Sequence, residues 1–280
     1  MTDEPVIVAC CPMAPVLGDV DRNRATTVAV ITEAADRGAR VIVLPELASS
    51  GYAFTDAAEA LAAAEPADGP TVQAWAALAR ERDLVIVGGF CERDDQGRPR
   101  NSAVIVDAGG VRAIYRKVHL WDRERLIFIP GDEAPPVVDT GVGLVSAVIC
   151  YDLEFPEWVR LPALAGARLL CAPTNWPRGS WPAGERPGEI TRALVDAAVN
   201  RMFIAVCDRV GTERGQEWVG GSAIIDPDGW PLAGAQASAS TDLLLASCVL
   251  AQADDKGLGG LSDALGDRRP DLYRRFLLDS

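Results

Sequence analysis

Lysine is scarce in this chain, which gives each of its lysines more significance. Only Lys117 and Lys256 stand among the 27 basic residues, and all the others are arginines. A lysine ammonium is a compact point charge, whereas the guanidinium of arginine is a wide planar fork. Lys117, directly after an arginine, therefore indicates a confined site that needs one ammonium beside a carboxylate, with a chance surface lysine as the alternative. Lys256, in an acidic stretch, is typical of the surface.

Three reactive side chains follow apolar runs of the kind that form strands. Glu46 comes after Val-Ile-Val-Leu-Pro, Lys117 ends Ala-Ile-Tyr-Arg, and Cys150 ends Val-Ser-Ala-Val-Ile. Ligands of α/β proteins gather beyond the carboxyl ends of strands, so we expect these side chains to converge. An ammonium favours a thiolate, and a carboxylate can take the thiol proton and later activate water. The combination predicts a nucleophilic site built on Cys150.

The bulk composition argues against several classes of protein. A chain of 280 residues with 49% hydrophobic residues can bury a large core. Its formal net charge of −13 argues against nucleic acid and against an anionic membrane surface, because both need a basic patch. No apolar run reaches the length of a membrane span, and the first residues do not resemble a signal peptide. We expect a soluble, cytoplasmic protein with neither a nucleic-acid nor a membrane partner.

The cysteines predict buried thiols rather than disulfides or a zinc site. Seven is an odd number, none forms a Cys-x-x-Cys pair, and the chain has a single histidine. Reduced core thiols are therefore the better interpretation. Five lie within or just after apolar runs: Cys10, Cys91, Cys171, Cys207 and Cys248. Cys150 differs in the residues that surround it.

Apolar runs alternate with helical stretches along the chain. The pattern predicts strands at 6–10, 41–44, 84–90, 142–150, 168–172, 202–207, 222–226 and 243–250, with a hairpin of 101–107 and 111–117. It predicts helices at 23–37, 71–82, 156–164 and 185–200, the second capped by Thr71.

Several of these strands are apolar at consecutive positions, so both of their faces must be covered. Helices on one face and a second sheet on the other give a four-layer αββα sandwich, but a three-layer doubly wound sheet satisfies the same pattern. No flexible linker divides the middle of the chain. We therefore predict one domain over 1–280, with a core at about 5–250 and a C-terminal tail at 251–280 that carries an amphipathic segment around Leu272–Leu278.

Three motifs in a fixed order carry a family resemblance. They are Pro45-Glu46-Leu47, Tyr115-Arg116-Lys117-Val118-His119-Leu120 and Cys150-Tyr151-Asp152-Leu153-Glu154-Phe155-Pro156-Glu157. Together they resemble the signatures of the nitrilase, or carbon–nitrogen hydrolase, superfamily, and the likeness extends over about 5–250. The resemblance implies the αββα sandwich, in a homodimer or a larger homo-oligomer, and so decides between the two layer arrangements.

The resemblance also implies roles for individual residues. It makes Glu46 the general base, Lys117 the stabiliser of an oxyanion and Cys150 the nucleophile. Glu124 occupies the place of a further family glutamate that helps to position the substrate, although its charged neighbours also fit a solvated surface. No metal or organic cofactor is implied.

The residues after the cysteine bear on the substrate. Nitrile-cleaving members typically have Trp-Glu where this chain has Tyr151-Asp152, so the resemblance favours an amidase that converts a linear amide to a carboxylic acid and ammonia through a thioester. Carbamoylases often place an arginine where Leu153-Glu154 stands; this weakens the alternative of an N-carbamoyl amino acid or amine, and a nitrile also stays open. The expected substrate pocket comprises Tyr52, Trp121, Tyr151, Asn175 and Trp176.

Two functions of other kinds remain as alternatives. A catalytically idle member of the same fold would bind partners, but it should have lost a triad residue, and none is lost. A cysteine peptidase would use His119, which strand alternation could place on the same face as Lys117. A lone histidine is more often a packed, hydrogen-bonded residue. Glu157, in the first turn of a helix opened by Pro156, suits the helix dipole and is predicted to be structural.

Overall fold

The structure is a computed structural model that describes residues 4–277, with side chains for 4–274. In chain order the strands are β1 (Val6–Cys10), β2 (Val41–Val43), β3 (Val85–Arg93), β4 (Pro99–Asp107), β5 (Gly110–Arg116), β6 (Val137–Thr140), β7 (Gly143–Ala147), β8 (Leu169–Thr174), β9 (Phe203–Asp208), β10 (Thr212–Glu213), β11 (Gln216–Glu217), β12 (Ala223–Ile225), β13 (Pro231–Gly234), β14 (Leu244–Cys248), β15 (Gly257–Gly259) and β16 (Ser262–Asp263). The helices are α1 (Val20–Asp36), α2 (Ala57–Ala62), α3 (Pro70–Arg82), α4 (Pro156–Leu164), α5 (Gly188–Asn200) and α6 (Pro270–Leu277).

Two six-stranded sheets form the centre of the fold. The first has the order β14-β1-β2-β3-β4-β5, and the second has the order β13-β12-β9-β8-β7-β6. Each sheet has three parallel strands in its middle, β1-β2-β3 in one and β7-β8-β9 in the other, flanked by antiparallel strands. The parallel strands end at the same edge of their sheet, where a site can form.

The strands are apolar on both faces because each sheet is covered on both sides. In β2, Val41 and Val43 belong to the core between the two sheets, whereas Ile42 packs with residues of α1 and α3. On the outer face of the second sheet, α4 and α5 complete a separate buried cluster. The layers are therefore helices, sheet, sheet, helices, which confirms the predicted αββα sandwich.

Some predicted elements agree closely with the structure and others do not. The bounds of β1 and α4 are those predicted. Thr71 is not a cap: α3 begins at Pro70 after Gly69, and Thr71 N–H donates to a carboxylate oxygen of Glu65. The predicted strand at 142–150 proved wrong at its end, because β7 stops at Ala147.

The segment after β14 contacts the helical layer. Lys256 is half-buried, and its ammonium donates to Arg201 O at 2.7 Å and Asn200 O at 3.3 Å, where α5 ends. It therefore satisfies helix-terminal carbonyls and is not the free surface lysine that the sequence predicted. The amphipathic segment predicted around Leu272–Leu278 falls on α6, with residue 278 outside the described residues. Within 4–277, no helix is long and apolar enough to cross a bilayer.

Candidate active site

Glu46 lies in a tight turn directly after β2. The next residue, Leu47, has a φ of +48°, and the Glu46 side chain is completely buried. The turn packs against β3 at Gly89, where a Cβ atom would approach Leu47 N to 2.5 Å and Glu46 Cα to 2.6 Å. Only glycine leaves room for this approach. Gly89 therefore fixes how closely the Glu46 turn packs against the first sheet.

Lys117 follows the last residue of β5, and backbone contacts hold it on both sides. Its N–H donates to Asn101 O at 2.9 Å, and its carbonyl accepts from Gly131 N–H at 2.9 Å. A Cβ atom at Gly131 would come within 2.2 Å of Arg116 O. Gly131, in the pair Pro130-Gly131, therefore allows the chain that follows the lysine motif to lie directly against the end of β5.

Cys150 begins a short 3₁₀ turn, Cys150–Glu154, on the far side of a two-residue link from β7. Its φ is +47°, a region that residues other than glycine seldom adopt. Such a backbone persists only where its surroundings impose it. Within this turn the Asp152 side chain accepts the backbone N–H of Ile149, the residue before Cys150.

Asp152 joins the cysteine turn to the lysine segment. Its Oδ2 accepts Ile149 N–H at 2.9 Å, just before the cysteine, and the Tyr115 hydroxyl at 2.8 Å. Its Oδ1 accepts His119 N–H at 3.1 Å and lies 2.8 Å from His119 Nδ1. Tyr115 and His119 flank Lys117 in the chain. One fully buried carboxylate therefore fixes the Cys150 turn relative to the residues on either side of the lysine.

The Lys117 ammonium lies between two carboxylates. Its Nζ is 2.7 Å from Glu46 Oε1 and 2.7 Å from Glu124 Oε1, and all three residues are buried. The Asn101 amide also donates to Glu46 Oε1 at 2.7 Å. The Tyr52 hydroxyl donates to Glu124 Oε1 at 2.6 Å. Charge-assisted bonds in a buried cluster of this kind hold each group firmly in place.

The two glutamates differ in the oxygen that Lys117 does not contact. Glu124 Oε2 accepts Trp121 N–H at 3.0 Å. Glu46 Oε2 is buried and has no hydrogen-bond partner within the described part of the chain. Glu46 therefore keeps an acceptor for a further proton, whereas both oxygens of Glu124 are engaged.

Burial and neighbouring charges shift the proton equilibria of this cluster. Burial, opposed by the Lys117 ammonium, raises the pKa of Glu46 to about 7. Burial would lower the pKa of Lys117, but the carboxylates of Glu124 and Glu46 outweigh it and raise the pKa above its ordinary value. Glu46 is thus poised to exchange a proton near neutral pH beside a permanent positive charge.

The surroundings of Cys150 favour the thiol over the thiolate. Burial raises the pKa of Cys150 well above its ordinary value, the Glu46 carboxylate raises it further, and Lys117 opposes both. The ammonium thus acts in the direction that the sequence predicted, toward the thiolate, but burial and the Glu46 carboxylate outweigh it. A base must take the thiol proton when the sulfur attacks, and Glu46 has the free oxygen for this.

Cys150 opens into a cavity of about 410 Å³, which we call the cysteine cavity. All five residues expected in the substrate pocket line it: Tyr52, Trp121, Tyr151, Asn175 and Trp176. Asn175 also donates from Nδ2 to Glu46 O at 2.9 Å, which ties the cavity wall to the Glu46 turn. The structure thus gathers these residues around the nucleophile.

Other residues of the site could not be assigned to it from the sequence. The mouth of the cysteine cavity also includes Glu154, Arg178, Glu189 and Arg192, with an ion pair between Arg192 and Glu154. Asn101 reaches Glu46 only because β4 lies beside β3 in the first sheet. Asp152 lies inside a quoted motif, so its position was available, but its contacts to Tyr115 and His119 were not.

His119 contacts Asp152 rather than the cysteine cavity. Its ring stacks on Phe155 with centroids 3.8 Å apart, and it is not among the residues that line the cavity. Glu157 lies exposed in the first turn of α4, as predicted for a structural residue. Across residues 4–277, no three His, Cys, Asp or Glu side chains are grouped to hold a metal ion.

Comparison with known proteins agrees with this geometry. A family model described as carbon-nitrogen hydrolase matches residues 7–255. A nitrilase of Pyrococcus abyssi is 34% identical over 272 residues, which cover 96% of this chain and 100% of the relative. An (R)-stereoselective amidase of a Pseudomonas species is 38% identical over 214 residues, covering 76% of this chain and 74% of the relative.

Solved structures of an amidase also resemble this chain over nearly its whole length. A glutamate-to-glutamine mutant of the amidase from Nesterenkonia sp. AN1 superposes with a TM-score of 0.78 at 26% identity, covering 99% of this chain and 98% of the other. That structure shows covalent addition of the acetamide moiety of fluoroacetamide at the active-site cysteine.

The fold and these relatives define the class of protein: an amidase-like hydrolase that acts on carbon–nitrogen bonds other than peptide bonds. The chain belongs to the carbon–nitrogen hydrolase family, within the nitrilase superfamily.

Proposed function

We propose that this protein is a cysteine-dependent amidase that hydrolyses a linear amide to a carboxylic acid and ammonia. The observation that carries the proposal is the unshared Oε2 of Glu46, a carboxylate with a pKa raised to about 7 in the same buried cluster as Lys117. A general base works best when its pKa lies near the operating pH. This scheme requires no metal or organic cofactor.

The first half-reaction transfers the acyl group to sulfur. Cys150 Sγ attacks the amide carbonyl while its proton passes to Glu46 Oε2. The negative charge on the carbonyl oxygen is stabilised by the Lys117 ammonium and by the backbone N–H of Tyr151. The carbon–nitrogen bond then breaks, Glu46 returns the proton to nitrogen, and ammonia leaves behind a thioester.

The second half-reaction releases the acid. Water gives a proton to Glu46 as its oxygen attacks the thioester carbonyl, and the carbon–sulfur bond breaks. The proton then passes from Glu46 to the sulfur, which restores the thiol. Glu124 keeps both oxygens engaged throughout and positions Lys117 and Tyr52, so its contribution is geometric.

A matched substrate panel tests this proposal. Ammonia release from butyramide, butyronitrile and an N-carbamoyl amine is measured for the wild type and for Cys150→Ala. We expect turnover of the amide that exceeds turnover of the other two and that is lost in Cys150→Ala. Faster turnover of the nitrile or of the carbamoyl compound would contradict the amidase assignment and support a nitrilase or an N-carbamoyl amine hydrolase instead. No turnover of any compound would favour the catalytically idle member of the fold.

A second variant separates the proposal from a cysteine peptidase. His119 contacts Asp152 and Phe155 and plays no part in the proposed steps. His119→Ala should therefore keep amidase activity within about tenfold of the wild type, since a tenfold change is only about 1.4 kcal/mol of barrier. Complete loss of activity in a folded His119→Ala variant would support a Cys–His mechanism.

We also propose a single domain that functions as a homodimer or a larger homo-oligomer in the cytoplasm. Support for self-association comes from the outer helices of the second sheet, where Leu161 and Leu164 on α4 and Val195 and Val199 on α5 are exposed. Exposed apolar residues that cluster often mark an interface. Light scattering of the purified protein measures the oligomer directly, and a monomer at micromolar concentration would contradict this proposal.

A further inference from the structure

A second cavity adjoins the cysteine cavity. It has a volume of about 320 Å³, and we call it the aromatic cavity. Its wall includes Phe54, Ile127, Phe128, Trp218 and Gln216. Tyr52, Trp121 and Pro177 line both cavities, so the two spaces meet across these three residues.

The wall of the aromatic cavity is preformed. Phe54, Phe128 and Trp218 are each at least 95% buried. Phe54 packs edge-to-face on Phe128, and Tyr52 packs edge-to-face on Trp218 with ring centroids 5.3 Å apart. Rings locked in this way need no rearrangement to receive an apolar group, which lowers the cost of binding.

One polar atom in this wall has no protein partner. The indole Nε1 of Trp218 is buried, and none of the residues described by the structure accepts its hydrogen. A buried indole N–H usually finds an acceptor. The guanidinium of Arg209 lies over the Trp218 ring with its carbon 4.7 Å from the centroid, so the ring is held in place from behind. Because this nitrogen is itself inaccessible, Trp218 offers the cavity apolar ring surface rather than a donor.

The Tyr52 segment links this wall to the catalytic cluster. Glu213 pairs with Arg209 at 3.0 Å and accepts the backbone N–H groups of Tyr52 and Ala53 at 2.9 and 2.6 Å. The Tyr52 hydroxyl reaches Glu124. Tyr52 is therefore a fixed partition, with the cysteine on one side of it and the aromatic cavity on the other.

We propose that the aromatic cavity is the distal part of the substrate site, and that it holds an aromatic or branched aliphatic group of the amide. This inference rests on the proposed amidase function and narrows its substrate class. The preferred amides extend beyond the carbonyl by a short chain that passes Tyr52 and Trp121 and ends in an apolar group. Small amides such as acetamide fill the cysteine cavity alone.

Binding to an inactive enzyme tests the subsite without turnover. Cys150→Ala is titrated by calorimetry with acetamide, propionamide and butyramide, and with the same amides bearing a terminal phenyl or phenoxy group. We expect at least one arylated amide to bind tenfold or more tighter than its parent, an advantage of about 1.4 kcal/mol.

A blocking substitution with a matched control locates the effect. Gln216→Trp, in the Cys150→Ala background, adds bulk at the wall of the aromatic cavity and should bring the affinity ratio of arylated to parent amide close to one. Gln236→Trp makes the same change at an exposed position beside a different cavity and should leave the ratio unaltered. Equal affinities for arylated and parent amides, or an unchanged ratio in Gln216→Trp, overturn the subsite.

The result is separable from the proposed function. Failure of the wild type to release ammonia from any amide would contradict the proposed amidase function. Tight binding of arylated amides that is lost in Gln216→Trp would still establish the subsite. Turnover of small amides with no arylated preference would leave the amidase intact and remove the subsite.

Discussion

Glu46 and Glu124 each accept a hydrogen bond from the Lys117 ammonium at 2.7 Å, yet they are not equivalent. The second oxygen of Glu124 is bound by Trp121 N–H, whereas the second oxygen of Glu46 has no partner among residues 4–277. One lysine thus holds two carboxylates in place, and only Glu46 keeps an acceptor oxygen without a partner among the described residues. This asymmetry underlies the roles that we propose.

The pH dependence of the reaction should report Glu46. Its pKa is raised to about 7, so the carboxylate gains a proton as the pH falls through that value and can no longer act as a base. We expect kcat/KM for an uncharged amide to fall about tenfold for each pH unit well below 7 and to level off above it. A plateau that extends down to pH 5 would mean that an ordinary, unshifted carboxylate or no carboxylate is involved.

Lys117→Arg should inactivate the enzyme although the charge is kept. The lysine side chain is fully buried between two carboxylates, and a guanidinium is too wide for the same space. We expect a loss of more than about tenfold in kcat and, from overpacking, a loss of about 1–3 kcal/mol in the free energy of unfolding. Lys256→Arg is the matched control and should retain activity. Substantial activity in Lys117→Arg would make the lysine a replaceable positive charge.

Asp152→Asn tests the link between the cysteine turn and the lysine segment. Asparagine keeps one acceptor oxygen, so either the His119 contacts or those to Tyr115 and Ile149 are lost. Small misplacements of reacting groups are costly, and we expect kcat to fall about tenfold to a hundredfold, while amide affinity in the Cys150→Ala background changes little. Asp196→Asn, at another buried carboxylate, is the control. Equal losses in both variants would indicate general destabilisation instead.

Alkylation should single out one thiol. Cys150 lines a cavity and is 7% exposed, whereas the other cysteines are at most 1% exposed. Iodoacetamide at neutral pH should label Cys150 first and abolish activity, and the rate should rise with pH because burial raises the pKa of this thiol. Peptide mapping identifies the modified residue. Earlier labelling of another cysteine with activity retained would remove Cys150 as the nucleophile.

Strands with consecutive apolar residues showed that both faces of a sheet are covered, but a three-layer sheet fitted the same pattern, and the family resemblance decided for the αββα sandwich. Some short elements and element boundaries were not predicted. The edge strand β6 has a partly exposed face and follows two prolines, so its four residues resemble a loop. Thr71 has the residue type of a helix cap, but Gly69 with Pro70 behind it starts the helix instead, since proline is well suited to the first helical position.

The residues whose type alone indicates their chemistry could be predicted from the sequence. The contacts that position these residues could not, because they depend on packing between distant parts of the chain. Glu46, Lys117 and Cys150 stand out in their motifs. The bonds of Asp152 to Tyr115 and His119, the close approach of Gly89 to the Glu46 turn and the bond from Asn101 to Glu46 all depend on residues far apart in the chain. No local pattern encodes such contacts, because they form only when the strands are paired.

The intact mass of Glu46→Gln and Glu124→Gln after mixing with butyramide tests the central assignment most directly. Neither amide side chain can accept a proton as a base, but only Glu46 holds that role in the proposed scheme. We predict that Glu124→Gln forms any acyl adduct slowly and then turns it over, with the adduct mapped to Cys150. Glu46→Gln should show no adduct, or one that persists. Free turnover by Glu46→Gln together with an accumulating adduct in Glu124→Gln would contradict the account and move the base to Glu124.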